Sequence, residues 1–375
     1  ITNKSGVITL FNNKEITASP TKTDGWNITV TLVNYDKDQS KNAGKNFGAK
    51  LMIQKEKIPT VLSDVCTSGN NLATCITTLS NKSEPSIVNI YHHTSSLANG
   101  AGDNSYRYAG ASDQVNNFVC FGSTTSSCPE DNLYRIIGVF EDKVKLIKYD
   151  YATSALLGTN GDYISSSILN STYKGSLSKV DTYYWNYKNN TTINDGAGSN
   201  IWNTSLLNKI NLNTNYLNNI GTTWSNLIED ATWKVSGHST ESVTPSEMCA
   251  AEIENATKTY GPSDGTSKIG LVYLSDYGFA ASPSAWTKNL FDYNSADVNG
   301  TSITTINWMY MGDYEWTISP NSSNSNVVFY LDGDGYVDNY PADNGFGSRP
   351  VLYLKASVLY AGGSGTKDSP ITLVV

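Results

Sequence analysis

The chain has 375 residues, a formal net charge of −8 and a pI near 4.9, which excludes the basic footprint that nucleic-acid binding needs. Its length suits two or three domains with a sizeable core, and no apolar run approaches the roughly 18 residues of a membrane span. Only 16% of residues are charged while Tyr alone numbers 24, so Asn, Ser, Thr, Tyr and Gly fill the polar positions. Such a surface recognises through rings and adaptable hydrogen bonds, as adhesins and paratopes do. An AT-rich genome would enrich Asn, Ile, Lys and Tyr as well. The chain opens at Ile1 rather than Met, and a leader or anchor removed from a precursor is expected.

In chain order, residues 1–57 read as a β module, with strands at Gly6–Phe11, Trp26–Val33 and Phe47–Ile53. These are too few for a complete Ig-like sandwich, so truncation or strand exchange with another chain is implied. Residues 58–104 read as a linker with a short helix at Leu72–Leu79, and His92–His93 as a solvated turn within it. Residues 105–375 read as one mixed domain. Tyr134–Phe140 and Lys143–Lys148 form a hairpin across Glu141–Asp142, and Ser205–Ile220 carries a helical apolar stripe. A second helix at Trp224–Trp233, a buried strand at Lys268–Leu274 and a short helix at Ser275–Ala280 follow. Strands at Val327–Leu331, Pro350–Leu354 and Ile371–Val375 return the tail to the sheet, giving the α+β class with the domain's ends meeting.

Five cysteines are informative by spacing. Cys66 with Cys75 and Cys120 with Cys128 bracket short loops, so two disulfides and an oxidising compartment are expected, leaving Cys249 over. Free thiols and a metal site are the weaker alternatives, because neither gap matches a zinc knuckle and His92, His93 and His238 lack ligand spacing.

Six phrases carry a family likeness: Ser105–Gly110, Leu133–Gly138, Trp202–Leu207, Ile269–Ser275, Tyr314–Pro320 and Gly347–Leu354. In that order they resemble the C-type-lectin-fold proteins related to formylglycine-generating enzymes. The nearest likeness is to the variable proteins whose C-terminal cassette a diversity-generating retroelement rewrites. It implies a C-type-lectin-fold domain behind the small β module, and ligand positions between Pro320 and Arg349. Those positions are Asn321, Ser323, Asn324, Asn326, Tyr330, Asp332, Asp334, Tyr336, Asp338, Asn339, Tyr340, Asp343, Asn344 and Phe346. Trp316, Pro320, Arg349 and Pro350 would be framework, with Trp316 and Leu352 in the core.

The implied function is a secreted or surface-displayed binding protein, on a cell or a phage particle, whose partner is a protein or another cell-surface macromolecule. No cofactor and no catalysis are expected. Asp332, Asp334 and Asp338 resemble part of a calcium loop but lack the closing Glu, and a turn is the stronger reading. The rival functions are a fibre or pilus subunit assembled through the N-terminal module, and a catalyst like the formylglycine-generating enzymes. The latter needs a reactive cysteine pair near the face, where none stands. Scattered carboxylates such as Glu229, Asp230 and Glu315 give no sign of meeting.

Overall fold

A tight reversal sets the centre of the fold. Leu133–Phe140 and Lys143–Lys148 pair antiparallel, and Glu141 turns between them with a φ of 56°. This computed structural model describes residues 60–125, 127–254, 265–294, 297–298 and 301–375. The chain divides into units 1–57 and 58–375, and every described residue belongs to the second. The strands expected before residue 57 lie outside the described residues.

Leu133–Phe140 is buried on both sides, so it reads as a nearly unbroken apolar run rather than an alternation. Around the hairpin the sheet runs Ile90–His92, Tyr106–Tyr108, Leu133–Phe140, Lys143–Lys148, Val351–Tyr353 and Ile269–Gly270, each pair antiparallel. Phe118–Cys120 pairs with the N-terminal half of Leu133–Phe140 on the edge that Tyr106–Tyr108 shares. Gly138 is required where these strands meet, since a Cβ there would lie 2.2 Å from the Tyr106 carbonyl oxygen. The two ends of the unit close on each other through bridges from Asn71 to Leu359 and from Val119 to Ile371. Helices at Leu72–Lys82, Leu217–Ser225, Pro245–Glu254 and Leu274–Ala280 accompany the strands, and the class is α+β.

All seven described tryptophans are buried, and indole N–H groups of five of them donate to backbone carbonyls. Each hides about 200 Å² of surface, on the order of 5 kcal/mol against water. Beneath the sheet, Asp276 in the first turn of Leu274–Ala280 is gripped by Arg107 at 2.7 Å and by Lys145. Arg107 also stacks over Phe140 and Phe279, at 4.6 and 5.1 Å from their centroids. This buried network ties the helix to the central hairpin. Among the described residues, no helix is long and apolar enough to cross a membrane.

Several expectations need correction. Residues from Leu62 to His93 are not a linker: Leu72, Ile76, Leu79, Val88 and Ile90 sit in the main core, and Ile90–His92 is a strand of the sheet. His93 is fully buried between Phe279 and Trp286, its Nδ1 accepting from the Ala101 N–H, and burial pushes its pKa down to about 3. The helix expected over Trp224–Trp233 stops at Ser225. Ala231–Trp233 is instead a strand paired with Gly265–Ser267, its register set by the buried Trp233 indole donating to the Ser267 carbonyl. Lys268–Leu274 contributes only Ile269–Gly270 to the sheet, although Ile269, Leu271, Val272 and Leu274 are all buried.

The Ser205–Ile220 stripe is helical from Leu207, but its first ten residues are wound as a wide π-helix. The Thr214 hydroxyl donates to the Lys209 carbonyl and the Asn213 amide to the Asn208 carbonyl, each five residues back. Side chains inserted into the backbone ladder in this way favour the wider turn. The two cysteine pairs form disulfides, with Cα separations of 5.5 Å for Cys66–Cys75 and 5.7 Å for Cys120–Cys128.

Candidate functional site

The stretch between Tyr314 and Arg349 folds as a three-stranded antiparallel meander, Glu315–Pro320, Val327–Leu331 and Val337–Pro341. Its first strand is buried along its whole length, which anchors the meander to the core. The Trp316 indole donates to the Tyr183 carbonyl at 2.7 Å and the Trp185 indole to the Thr317 carbonyl at 2.8 Å. Trp316 has no exposure and Leu352 none, as framework and core positions should.

One face of the meander gathers a cluster of rings. Tyr330 lies opposite Trp316 on one side and Asp338 on the other, so the pleat carries these side chains to the same face. Phe346 then packs over it, with centroids 4.5 Å from Trp316, 4.6 Å from Tyr330 and 5.4 Å from Tyr314. Tyr340 stands at the rim, 6.2 Å from both Tyr330 and Phe346. The cluster therefore grades outward, from Trp316 and Tyr330 within to Tyr314 at 40% and Tyr340 at 46% exposure.

The two turns of the meander lie at opposite ends of its strands, so the residues expected as one ligand face divide. Asn321–Asn326 forms one end. Asn321 is 3% exposed and its amide reaches the Ser239 carbonyl. Asn200, fully buried, donates to the carbonyls of Asn321, Asn324 and Val327, so this turn is fixed from below. Asn321 is thus framework, which corrects its assignment, while Ser323 and Asn324 are exposed and Asn326 half-buried.

Asp332–Tyr336 forms the other end. Buried hydroxyls clamp it, Tyr310 donating to the Gly333 carbonyl at 2.7 Å and Tyr277 to the Gly335 carbonyl at 2.6 Å. Gly335 sits at a φ of 96°, and a Cβ would lie 2.4 Å from Thr304 Cγ2, so glycine is required. Asp332 is 7% exposed and turns inward, accepting from the Asp334 N–H, and burial raises its pKa. Burial, then the Asp332 carboxylate, push the Tyr336 hydroxyl up to about 12. Tyr330 and Asp332 are consequently supports rather than free contacts. Asp334 is exposed, and Tyr336, Asp338, Asn339, Asp343, Asn344 and Phe346 are half-buried. Among the described residues, no three acidic, His or Cys side chains converge as metal ligands, so Asp332, Asp334 and Asp338 do not assemble a calcium cradle.

Besides Tyr314, three side chains join this surface without having been expected there. Phe291, 45% exposed, meets Tyr336 at a centroid distance of 5.8 Å. Asn294 lines the same shallow depression, and Glu241 accepts from the Asn339 amide at 3.0 Å. Their sequence separation from the meander left no local signal. Tyr314 had one, since it opens the phrase that ends at Pro320.

Elsewhere, Cys249 is the one free thiol among the described residues, buried against Ala109, Phe279 and Trp286. Burial pushes its pKa up to about 11. No family model, no curated protein and no solved structure matches the chain.

Proposed function

We propose that the chain is a secreted or surface-displayed binding protein of C-type-lectin fold, whose ligand face is the outer surface of the meander around Tyr314, Tyr340, Phe346, Asp343 and Asn344. The carrying observation is the graded ring cluster: exposed Tyr314 and Tyr340 rest on Phe346 and Tyr330, which rest on buried Trp316. Ring area held on a rigid support gives affinity at low entropic cost. The fold reading draws support from the sheet, where the Leu133–Gly138, Gly347–Leu354 and Ile269–Ser275 phrases contribute neighbouring strands around Lys143–Lys148. The bridges Asn71–Leu359 and Val119–Ile371, which bring the two ends of the 58–375 unit together, support it as well. Two disulfides fit an extracellular setting. Recognition is favoured over catalysis because the free thiol is buried, unpaired and held protonated.

Sequencing the coding locus tests the diversified character of the face. A nearby near-identical copy of codons 310–350, differing at adenines and beside a reverse-transcriptase gene, is expected. Its differences should fall at exposed positions such as Tyr340 and Asn344 and spare Trp316 and Arg349. Absence of any copy would replace a diversified face with one of fixed specificity.

A further inference from the structure

The depression at the Asp332–Tyr336 end of the meander is lined by Phe291, Asn294, Asp334, Tyr336 and Asp338. The Phe291 and Tyr336 rings meet at 69°, forming an aromatic corner. Asp334 is exposed and Asp338 half-buried, so their carboxylates are within reach of solvent beside it. From Met311 to Ser348 the sequence has six carboxylates and neither Lys nor Arg. Glu315 is neutralised by Arg349, and Asp313 accepts from the Asn170 and Tyr314 backbone N–H groups. The other four, Asp332, Asp334, Asp338 and Asp343, have no basic residue in this stretch to answer them. The 289–308 segment, which brings Phe291, also lacks Lys and Arg, and Lys174, which reaches it from another loop, is held by the Thr304 carbonyl and over the Tyr310 ring.

Two rings at an angle and carboxylates at the rim make a cation receptor, because ring faces attract positive charge and carboxylates accept its N–H groups. We propose that this depression receives an arginine or lysine side chain from a basic polypeptide partner, which rests on the reading of the meander as a binding face. Arginine fits best, since its planar guanidinium stacks on a ring while its edge donates to two carboxylates. A bare metal ion is disfavoured because the carboxylates do not converge. The Tyr310 and Tyr277 clamps hold the turn in advance, so docking need not order it.

Panning the full chain against a phage-displayed random peptide library tests this, with Asp334→Asn/Asp338→Asn, Phe291→Ala and Tyr314→Ala/Tyr340→Ala variants in parallel. Glu141→Gln/Asp142→Asn, at the remote hairpin turn, controls for bulk charge. Enriched peptides rich in Arg or Lys are expected. They should bind at least tenfold more weakly to the Asp334/Asp338 and Phe291 variants but unchanged to the control. Equal loss on the control would reduce the effect to net charge and overturn the proposal. Peptides without basic residues that need Tyr314 and Tyr340 would overturn it while leaving the binding face intact. Enrichment on neither surface would overturn both.

Discussion

Arg349 and Glu315 meet face to face beneath the meander, both 2% exposed: Arg349 Nε donates to both carboxylate oxygens at 2.9 Å, and Nη2 lies 2.7 Å from Oε2. Arg349 Nη2 also donates to the Met309 carbonyl, so one guanidinium joins the last sheet strand, the meander and the segment before it. Replacing one partner leaves a buried charge unpaired. Glu315→Ala is expected to cost about 3–5 kcal/mol in urea unfolding. The Glu315→Leu/Arg349→Leu double variant should cost clearly less than the sum of the single variants, and an additive result would count against a buried pair.

Glu252 sets a pH dependence. It is 1% exposed, accepts N–H groups of Leu274 and Ser275 and the Ser319 hydroxyl, and among the described residues faces no cation at hydrogen-bond distance. Burial lifts its pKa from 4.5 to about 7, so between those values the folded chain holds a proton that the unfolded chain releases. Its contribution to stability is therefore greatest below pH 4.5 and declines as pH rises through about 7, by on the order of 3 kcal/mol. Glu252→Gln mimics the protonated form. It should flatten this dependence and stabilise the chain at pH 8, read by urea midpoints at pH 5 and 8.

The parts of this architecture that local pattern dictates were legible in the sequence. The 133–148 hairpin announces itself by two apolar runs around a polar turn, and the cysteine pairs by their spacing. What escaped was the work of asparagine. Abundant Asn reads as adaptable surface, yet Asn117, Asn186, Asn200, Asn211 and Asn307 are all buried at 1% exposure or less. Their amides substitute for backbone partners: Asn211 bridges the Leu157 carbonyl and Asp162 N–H, and Asn117 bridges the Ile136 carbonyl and Arg135. Such pairings join residues 18 to 54 positions apart, so no window of sequence exposes them. The same blindness missed that Asn321 is buried and that Phe291 meets Tyr336 across the fold.

Thiol accessibility is a separate test. With four cysteines in disulfides and Cys249 buried, iodoacetamide at pH 8 should leave the folded, unreduced chain unmodified and add one label in guanidinium. Burial holds that thiol up at about 11, which slows its alkylation further. Intact mass reads the count, and rapid labelling of the folded chain would contradict the buried position. Removing either disulfide by paired Cys→Ser substitution should cost about 2.5 kcal/mol, given closed loops of eight or nine residues.

Stability and recognition should separate cleanly between the two kinds of Asn and Tyr at the meander. Asn200→Ala withdraws one amide from the carbonyls of Asn321, Asn324 and Val327, at a site with no exposure. Stranded carbonyls cost about 1–3 kcal/mol, so this variant should lose stability and, with it, the shape of the 321–326 turn. Tyr340→Ala instead trims a ring that is 46% exposed and touches Tyr330 and Phe346 only at 6.2 Å. Its unfolding midpoint should move by no more than about 0.5–1 kcal/mol. Its binding should fall at least tenfold for a ligand seated on the ring cluster, measured by calorimetry on a ligand that the Tyr314→Ala variant also weakens. A Tyr340→Ala variant that unfolds early but binds normally would make the exposed tyrosine a structural element and move the ligand face elsewhere.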